Sequence, residues 1–233
     1  MVELFNDIDV FLITNGRKST DYVVKSLKRQ KGVEFGYTVI KDKKWLDACN
    51  ECLNFSNVPY YLRLDDDMIL HPRAIHFFIK FIEMKYDPNA VFYCLKLWEP
   101  WNNRLCGKVK IYNRQLTKQI GFEVDSRGKV DKIFKKKAAE KGFKIVGDKT
   151  SAISIHAACS YDDNYNYSNL RKEINDPTFA IREKEIQKLD KVLKKTPYEE
   201  QLRLADAPLG DLNKKGNTLF GQFLNECEGR NGN

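Results

Sequence analysis

Short apolar runs alternate with longer amphipathic ones over the first hundred residues. Ile8 to Thr14 (IDVFLIT) is rich in β-branched and large apolar residues and is broken by Asn15-Gly16-Arg17. It reads as a buried strand. Ser19 or Thr20 can cap a helix that carries Val23, Val24 and Leu27 inward and stops near Gly32. Phe35 to Ile40 reads as a second strand, ending at Lys41-Asp42, and a helix is expected from about Trp45 to Asn54. Pro59 to Leu64 (PYYLRL) is a third strand that runs directly into Asp65-Asp66-Asp67. Pro72 opens a helix whose stripe is Ile75, Phe78, Ile79 and Ile82, and Ala90 to Leu97 is a fourth strand.

Strands alternating with helices predict an α/β fold: a mostly parallel, Rossmann-like sheet flanked by helices. Ligands bind such sheets at the carboxyl ends of the strands. Asp42 and the Asp65-to-Asp67 triad both fall there. Beyond Pro100 the pattern loosens. Lys108 to Asn113 reads as a strand and Val130 to Lys141 as a helix ended by Gly142; Phe143 to Val146 and Ala152 to His156 read as two short strands. From about Tyr165 the chain turns polar, with a helix at Ile186, Leu189 and Leu193 and a break at Pro197. The expected division is a domain over 1–164, made of halves 1–100 and 101–164, followed by a C-terminal helical extension over 165–233 that packs on the domain or binds a partner.

An apolar content of 42% and an aromatic content of 12% in 233 residues suit a globular chain with a real core. No apolar stretch approaches the roughly 20 residues that span a bilayer, and MVELFND has no basic leader region. The expectation is a cytoplasmic protein with no transmembrane segment, attachment to a membrane surface being left open. The six cysteines (49, 52, 94, 106, 159 and 227) are scattered and read as reduced thiols. Cys49-x-x-Cys52 lacks the second pair that a structural zinc site wants. The net charge of +8 is concentrated: Arg104 to Lys149 holds 14 Lys/Arg against 5 Asp/Glu, and the rest of the chain is nearly neutral. Such a block attracts phosphates, whether of a nucleotide, a nucleic acid or a membrane.

Three adjacent carboxylates repel one another, and burying them unpaired is costly. At a strand end, between Leu64 and Met68-Ile69-Leu70, they call for a counter-charge, which a hard divalent cation supplies through Asp65 and Asp67.

The segment Tyr60 to Pro72 (YYLRLDDDMILHP) resembles the DXD segment of GT-A glycosyltransferases, family 2 in particular: apolar strand, Asp-x-Asp, then a proline-started helix. The resemblance covers about the first 160 residues. It implies that Asp65 and Asp67 hold Mn2+ or Mg2+ and the donor diphosphate, with Asp66 between them. It implies that Asp42 and the turn of Thr14, Asn15 and Arg17 contact the nucleotide, although the proline and tyrosine that the family carries after its first strand are missing. His156 matches a further metal ligand. Asp131, before a helix that leads to Gly142-Phe143-Lys144-Ile145, matches the general base, and Asp125 is its rival. His71 and His76 are expected to be structural or on the surface. Trp98, Trp101 and Tyr112 are candidates for stacking on a sugar, or plain core aromatics.

The function implied is transfer of a sugar from a UDP- or GDP-sugar to a hydroxyl of a glycan, lipid-linked or protein acceptor, with inversion. Two alternatives stand. A nucleotidyltransferase would use a similar scaffold but wants a longer phosphate loop than Asn15-Gly16-Arg17. A nucleic-acid-binding protein would use the basic block but leaves the three acids unexplained, so no nucleic acid is expected.

Overall fold

The computed structural model describes residues 8–17, 19–100, 103–125, 130–157 and 198–229. Trp101, Cys159 and the helix expected at Ile186 to Leu193 lie outside these residues. The chain begins with a strand β1 (Asp9–Thr14), helix α1 (Thr20–Lys28), strand β2 (Tyr37–Lys41), helix α2 (Trp45–Phe55) and strand β3 (Tyr60–Asp65). A short strand β4 (Met68–Leu70), helix α3 (Ala74–Met84), and strands β5 (Ala90–Glu99) and β6 (Arg104–Asn113) follow. Helices α4 (Arg114–Ile120) and α5 (Val130–Glu140) lead to strand β7 (Lys144–His156). Helices α6 (Tyr198–Leu204), α7 (Ala207–Lys215) and α8 (Leu219–Gly229) close the described chain.

The seven strands form one sheet in the order β2-β1-β3-β6-β5-β7-β4. Strand β1 pairs parallel with β2 and β3, and β5 parallel with β7; β6 is antiparallel to both β3 and β5, and β4 to β7. The sheet is therefore mixed, not mostly parallel as expected. The cause is local. Only residues 100–103 separate β5 from β6, too few for the crossover that a parallel neighbour requires. The chain turns back, with Asn103 at φ 46°, and β6 slots between β3 and β5.

Each strand of the sheet's centre is buried on both faces. Along β1, Val10 and Leu12 face one apolar cluster and Phe11 and Ile13 another, as the two-residue period of a strand demands. The first cluster gathers α1, α3 and the C-terminal helices; the second gathers α2, α5 and the aromatic side chains of Tyr61, Phe92, Tyr112 and Phe134. The stripe read in α3 is real but wider than four positions: Phe77 and Phe81 are buried too.

The C-terminal helices pack on the main sheet. Ala205, Leu209, Phe220 and Leu224 join the first cluster. Buried Asn213 on α7 fixes them polar-side: its amide donates to the carbonyls of Ala152 and Leu209, both 2.8 Å, and its Oδ1 accepts from the Ala152 amide at 3.1 Å. His71 and His76 are structural. His71 lies edge-on to Phe220, with burial pushing its pKa down to about 3, and His76 lies edge-on to Phe223. Cys49, Cys52 and Cys94 are buried free thiols, and Cys106 and Cys227 are also free. Among the described residues no helix is long and apolar enough to cross a membrane.

Candidate functional site

The acid triad sits where β3 ends, and its three members face different ways. Asp66 turns back toward β1. Its Oδ2 accepts from the Thr14 hydroxyl at 2.8 Å and from the Asn15 amide at 3.3 Å, and its Oδ1 lies 3.1 Å from Arg17 Nη1. Asp66 thereby ties the Thr14–Arg17 turn to the end of β3. Asp67 pairs with the same Arg17 nitrogen at 3.2 Å and with His156 Nε2 at 3.5 Å. The β4–β7 ladder sets that approach, because Met68 is the register partner of His156. No described group hydrogen-bonds the Asp65 carboxylate. Burial, and then the charge of Asp67, push its pKa up to about 6. In Asp67, hydrogen bonds and charge from His156 and Arg17 outweigh burial and lower the pKa.

His156 is held on its other side as well. Its Nδ1 lies 3.1 Å from Glu99 Oε1, and Glu99 Oε2 accepts from Arg104 Nε at 2.5 Å. One ligand atom each from Glu99, Cys106 and His156 lie within 4.8 Å of one another, a partly buried group able to hold a divalent metal. Glu99 and Cys106 escaped the sequence reading. They lie on the two arms of the β5–β6 hairpin beside its turn, and the pairing of β5 with β7, Trp98 opposite Ile155, brings His156 to them.

Asp65, Asp67 and His156 open on a cleft of about 490 Å3 whose floor includes residues of β3, β5 and β6, with Trp45 and α5 at its side. Asp131 reaches it from α5. Arg63 and Lys110 are direct register partners on β3 and β6, so two cations share one face of the sheet. Asp131 separates them: Oδ1 lies 3.3 Å from Arg63 Nη2, and Oδ2 accepts from Lys110 Nζ. Against burial, Lys110 and Arg63 pull the Asp131 carboxyl down to about 2. Arg63 also donates to Cys49 Sγ at 3.0 Å and lies 4.7 Å from the Trp45 ring centre. That contact gives Cys49 its place, and burial raises its thiol to about 11.

The other expected residues scatter. Asp42 is exposed at the end of β2, with φ 54°, and does not line the cleft. Asp125 is half-buried and also outside it. Tyr112 is buried and stacked on Tyr61 at 5.3 Å, which makes it a core aromatic. Trp98 is half-buried and absent from the cleft, where Trp45 stands instead.

No protein-family model matches the chain, and no curated protein matches it in sequence. Solved structures do match its fold. The mannosyltransferase PcManGT from Pyrobaculum calidifontis, in complex with GDP-Man and Mn2+, superposes with a TM-score of 0.53 at 13% identity, over 95% of this chain and 79% of that one. S. aureus TarS 1-349 gives 0.49 at 15% identity over 65% of this chain, which spans 60% of that structure. A CMP:2-keto-3-deoxy-manno-octonic acid synthetase complexed with CTP gives 0.43 at 11% identity over 77% of this chain. The chain has a GT-A-like fold.

Proposed function

We propose that the chain is a metal-dependent glycosyltransferase that moves a sugar from a UDP- or GDP-sugar to an acceptor hydroxyl. The observation that carries this reading is the pair Asp65 and Asp67 at the end of β3, backed by His156 and opening on a cleft large enough for a sugar. The mannosyltransferase with the similar fold, solved with a GDP-sugar and Mn2+, supports it.

The donor set fits Mn2+ or Mg2+. Two carboxylates and an imidazole are oxygen and nitrogen ligands for such ions, and the Asp65 carboxylate has no hydrogen-bond donor among the described residues. Asp65, Asp67 and His156 would hold the ion, which when bound neutralises the charge of a leaving diphosphate. Arg17 binds Asp66 and Asp67 together and so keeps the turn after β1 against the acids. That turn, with Asp42, is the proposed nucleotide side. Glu99, itself held by Arg104, orients the His156 ring so that Nε2 faces Asp67.

Asp131 is the proposed general base. Among the described residues it is the one carboxylate of the cleft left once Asp65 and Asp67 are given to the metal. A carboxyl at about 2 is a weak base. An acceptor that draws the Lys110 ammonium off Oδ2 raises its basicity at the moment it is needed. Direct proton transfer to Asp131 as the hydroxyl attacks goes with inversion at the anomeric carbon.

Asp67→Ala tests the reading. Donor binding in the presence of Mn2+ should fall at least tenfold, about 1.4 kcal/mol, with the circular dichroism of the wild type retained. Unchanged donor affinity in a folded variant removes the metal assignment.

A further inference from the structure

Cys106 has no part in the proposed reaction, yet the sheet brings it to two residues that can bind metals. Strand register is the cause. Leu97 on β5 lies opposite Cys106 on β6, and Glu99 lies opposite Arg104. On the other side of β5, Trp98 lies opposite Ile155, so Glu99 runs beside His156. Side chains alternate between faces along a strand. Leu97 and Glu99 therefore share a face, and Cys106 and His156 join them on it.

The set has the chemistry of a zinc site. A thiolate, an imidazole nitrogen and a carboxylate oxygen are ligands that Zn2+ takes, and the thiolate favours it over Mg2+ and Mn2+. The Glu99 carboxylate and a Cys106 thiolate carry two negative charges, which match a dication when the imidazole is neutral. Ligands about 2.0–2.3 Å from a tetrahedral ion stand about 3.3–3.8 Å apart. One ligand atom from each residue already lies within 4.8 Å of the others, and His156 Nδ1 is 3.1 Å from Glu99 Oε1. Arg104 takes Glu99 Oε2 and leaves Oε1 facing the ring. Ligating carboxylates carry outer hydrogen bonds of this kind. The fourth position goes to water, as at other sites with three protein ligands.

We infer that Glu99, Cys106 and His156 form a second metal site, selective for Zn2+ over Mg2+ and Mn2+, and that zinc bound there opposes the metal of the acid triad. The site rests on geometry, and the opposition rests on the glycosyltransferase reading. A neutral imidazole has one N–H and one lone pair. Zinc on Nδ1 leaves the proton on Nε2, which faces Asp67. Nε2 then donates to Asp67 and cannot ligate Mn2+. A metal on Nε2 puts the proton on Nδ1, where it donates to Glu99. The one histidine serves either ion, not both.

Co2+ is the probe, because it reports a thiolate ligand directly. The full chain is stripped of metal with EDTA, dialysed and titrated with Co2+, and the thiolate-to-cobalt charge-transfer band is followed in the near ultraviolet. The wild type should show the band; Zn2+ should abolish it and excess Mg2+ should not. Cys106→Ser should lose it, Glu99→Gln should bind Co2+ more weakly by about tenfold or more, and Cys227→Ser should match the wild type. No band in the wild type, a band kept in Cys106→Ser, a band lost in Cys227→Ser, or displacement by Mg2+ overturns the site. A second measurement needs no variant to fold. Zn2+ should protect half-buried Cys106, and not Cys227, from iodoacetamide, as read by peptide mass; equal labelling of Cys106 with and without Zn2+ also overturns the site. The opposition is read as the ratio of Mn2+-dependent donor affinity without Zn2+ to that with it. The ratio should be about tenfold or more in the wild type, about 1.4 kcal/mol, and close to unity in Cys106→Ser. The same ratio in both overturns the opposition. No donor binding by either form, with the cobalt band intact, keeps the site and removes the transferase.

Discussion

Asp131→Asn removes the carboxylate that separates Arg63 from Lys110, two cations in direct register on one face of the sheet. The Arg63 side chain is 4% exposed and that of Lys110 10%, while Asp131 is 44% exposed. Removing one member of a fully buried ion pair costs about 3–5 kcal/mol. Solvent around Asp131 screens part of that, so a loss of about 1–3 kcal/mol is expected. For a chain of this size that lowers the thermal midpoint by about 2–10 °C. Urea unfolding followed by circular dichroism measures it directly. Adding Lys110→Met to Asp131→Asn should recover most of the loss, since the second cation then goes with its partner. The pH dependence has a definite sign. The folded carboxyl is held near 2, below its ordinary 3.8, so its contribution is complete above the ordinary value and is lost as pH falls toward 2. The gap between wild type and Asp131→Asn should therefore close in that acid window. On the proposed reading of Asp131 as the general base, removing its counter-ion does not replace it, so the double variant should regain stability and not turnover. A single variant within about 0.5 kcal/mol of wild type, or further destabilisation on adding Lys110→Met, would refute the picture of Asp131 as the clamp between the two cations.

Two further outcomes follow from the same structure. Asp42→Ala should weaken binding of the nucleotide donor several-fold without altering its metal dependence, as measured by calorimetry with and without Mn2+; a nucleotide bound at the opposite edge of the sheet in a soaked crystal would exclude that role. Asn213→Ala should cost about 2 kcal/mol, because it takes the side-chain partner from the buried amide and carbonyl of Ala152; urea unfolding unchanged from wild type would show that α7 does not hold β7.

The sequence showed most where one strand or helix explains itself. Strands β1, β2, β3 and β5, and helices α1, α2 and α3, follow from apolar period and turn residues, and the acid triad announces itself at the end of β3. What it hid depends on distant pairing. The stretch from Glu99 to Cys106 looks like a break after Pro100, yet β5 and β6 pair antiparallel across it, which makes the sheet mixed and sets Glu99 near Cys106, while the β5–β7 pairing brings His156 to both. Arg63 reads as an odd charge in an apolar strand until β6 places Lys110 opposite it and Asp131 between them. Two short strands were expected where β7 runs unbroken from Lys144 to His156, because the polar residues Asp148 to Ser151 look like a loop. Asp148 takes up the turn chemistry itself, accepting from the Thr150 and Ser151 amides, while the strand continues with a register shift. Helix α4 was missed for want of length; its cap is Asn113 Oδ1, which accepts from Leu116 at 3.1 Å.

Calorimetric titration of a panel of UDP- and GDP-sugars, each with Mn2+ and again with EDTA, tests the central claim most directly. The account predicts that at least one nucleotide sugar binds in Mn2+ at least tenfold more tightly than in EDTA, a difference of about 1.4 kcal/mol, and that Asp67→Ala abolishes that difference. A panel in which nothing binds with metal present, or in which a nucleotide sugar binds equally well in EDTA, contradicts it.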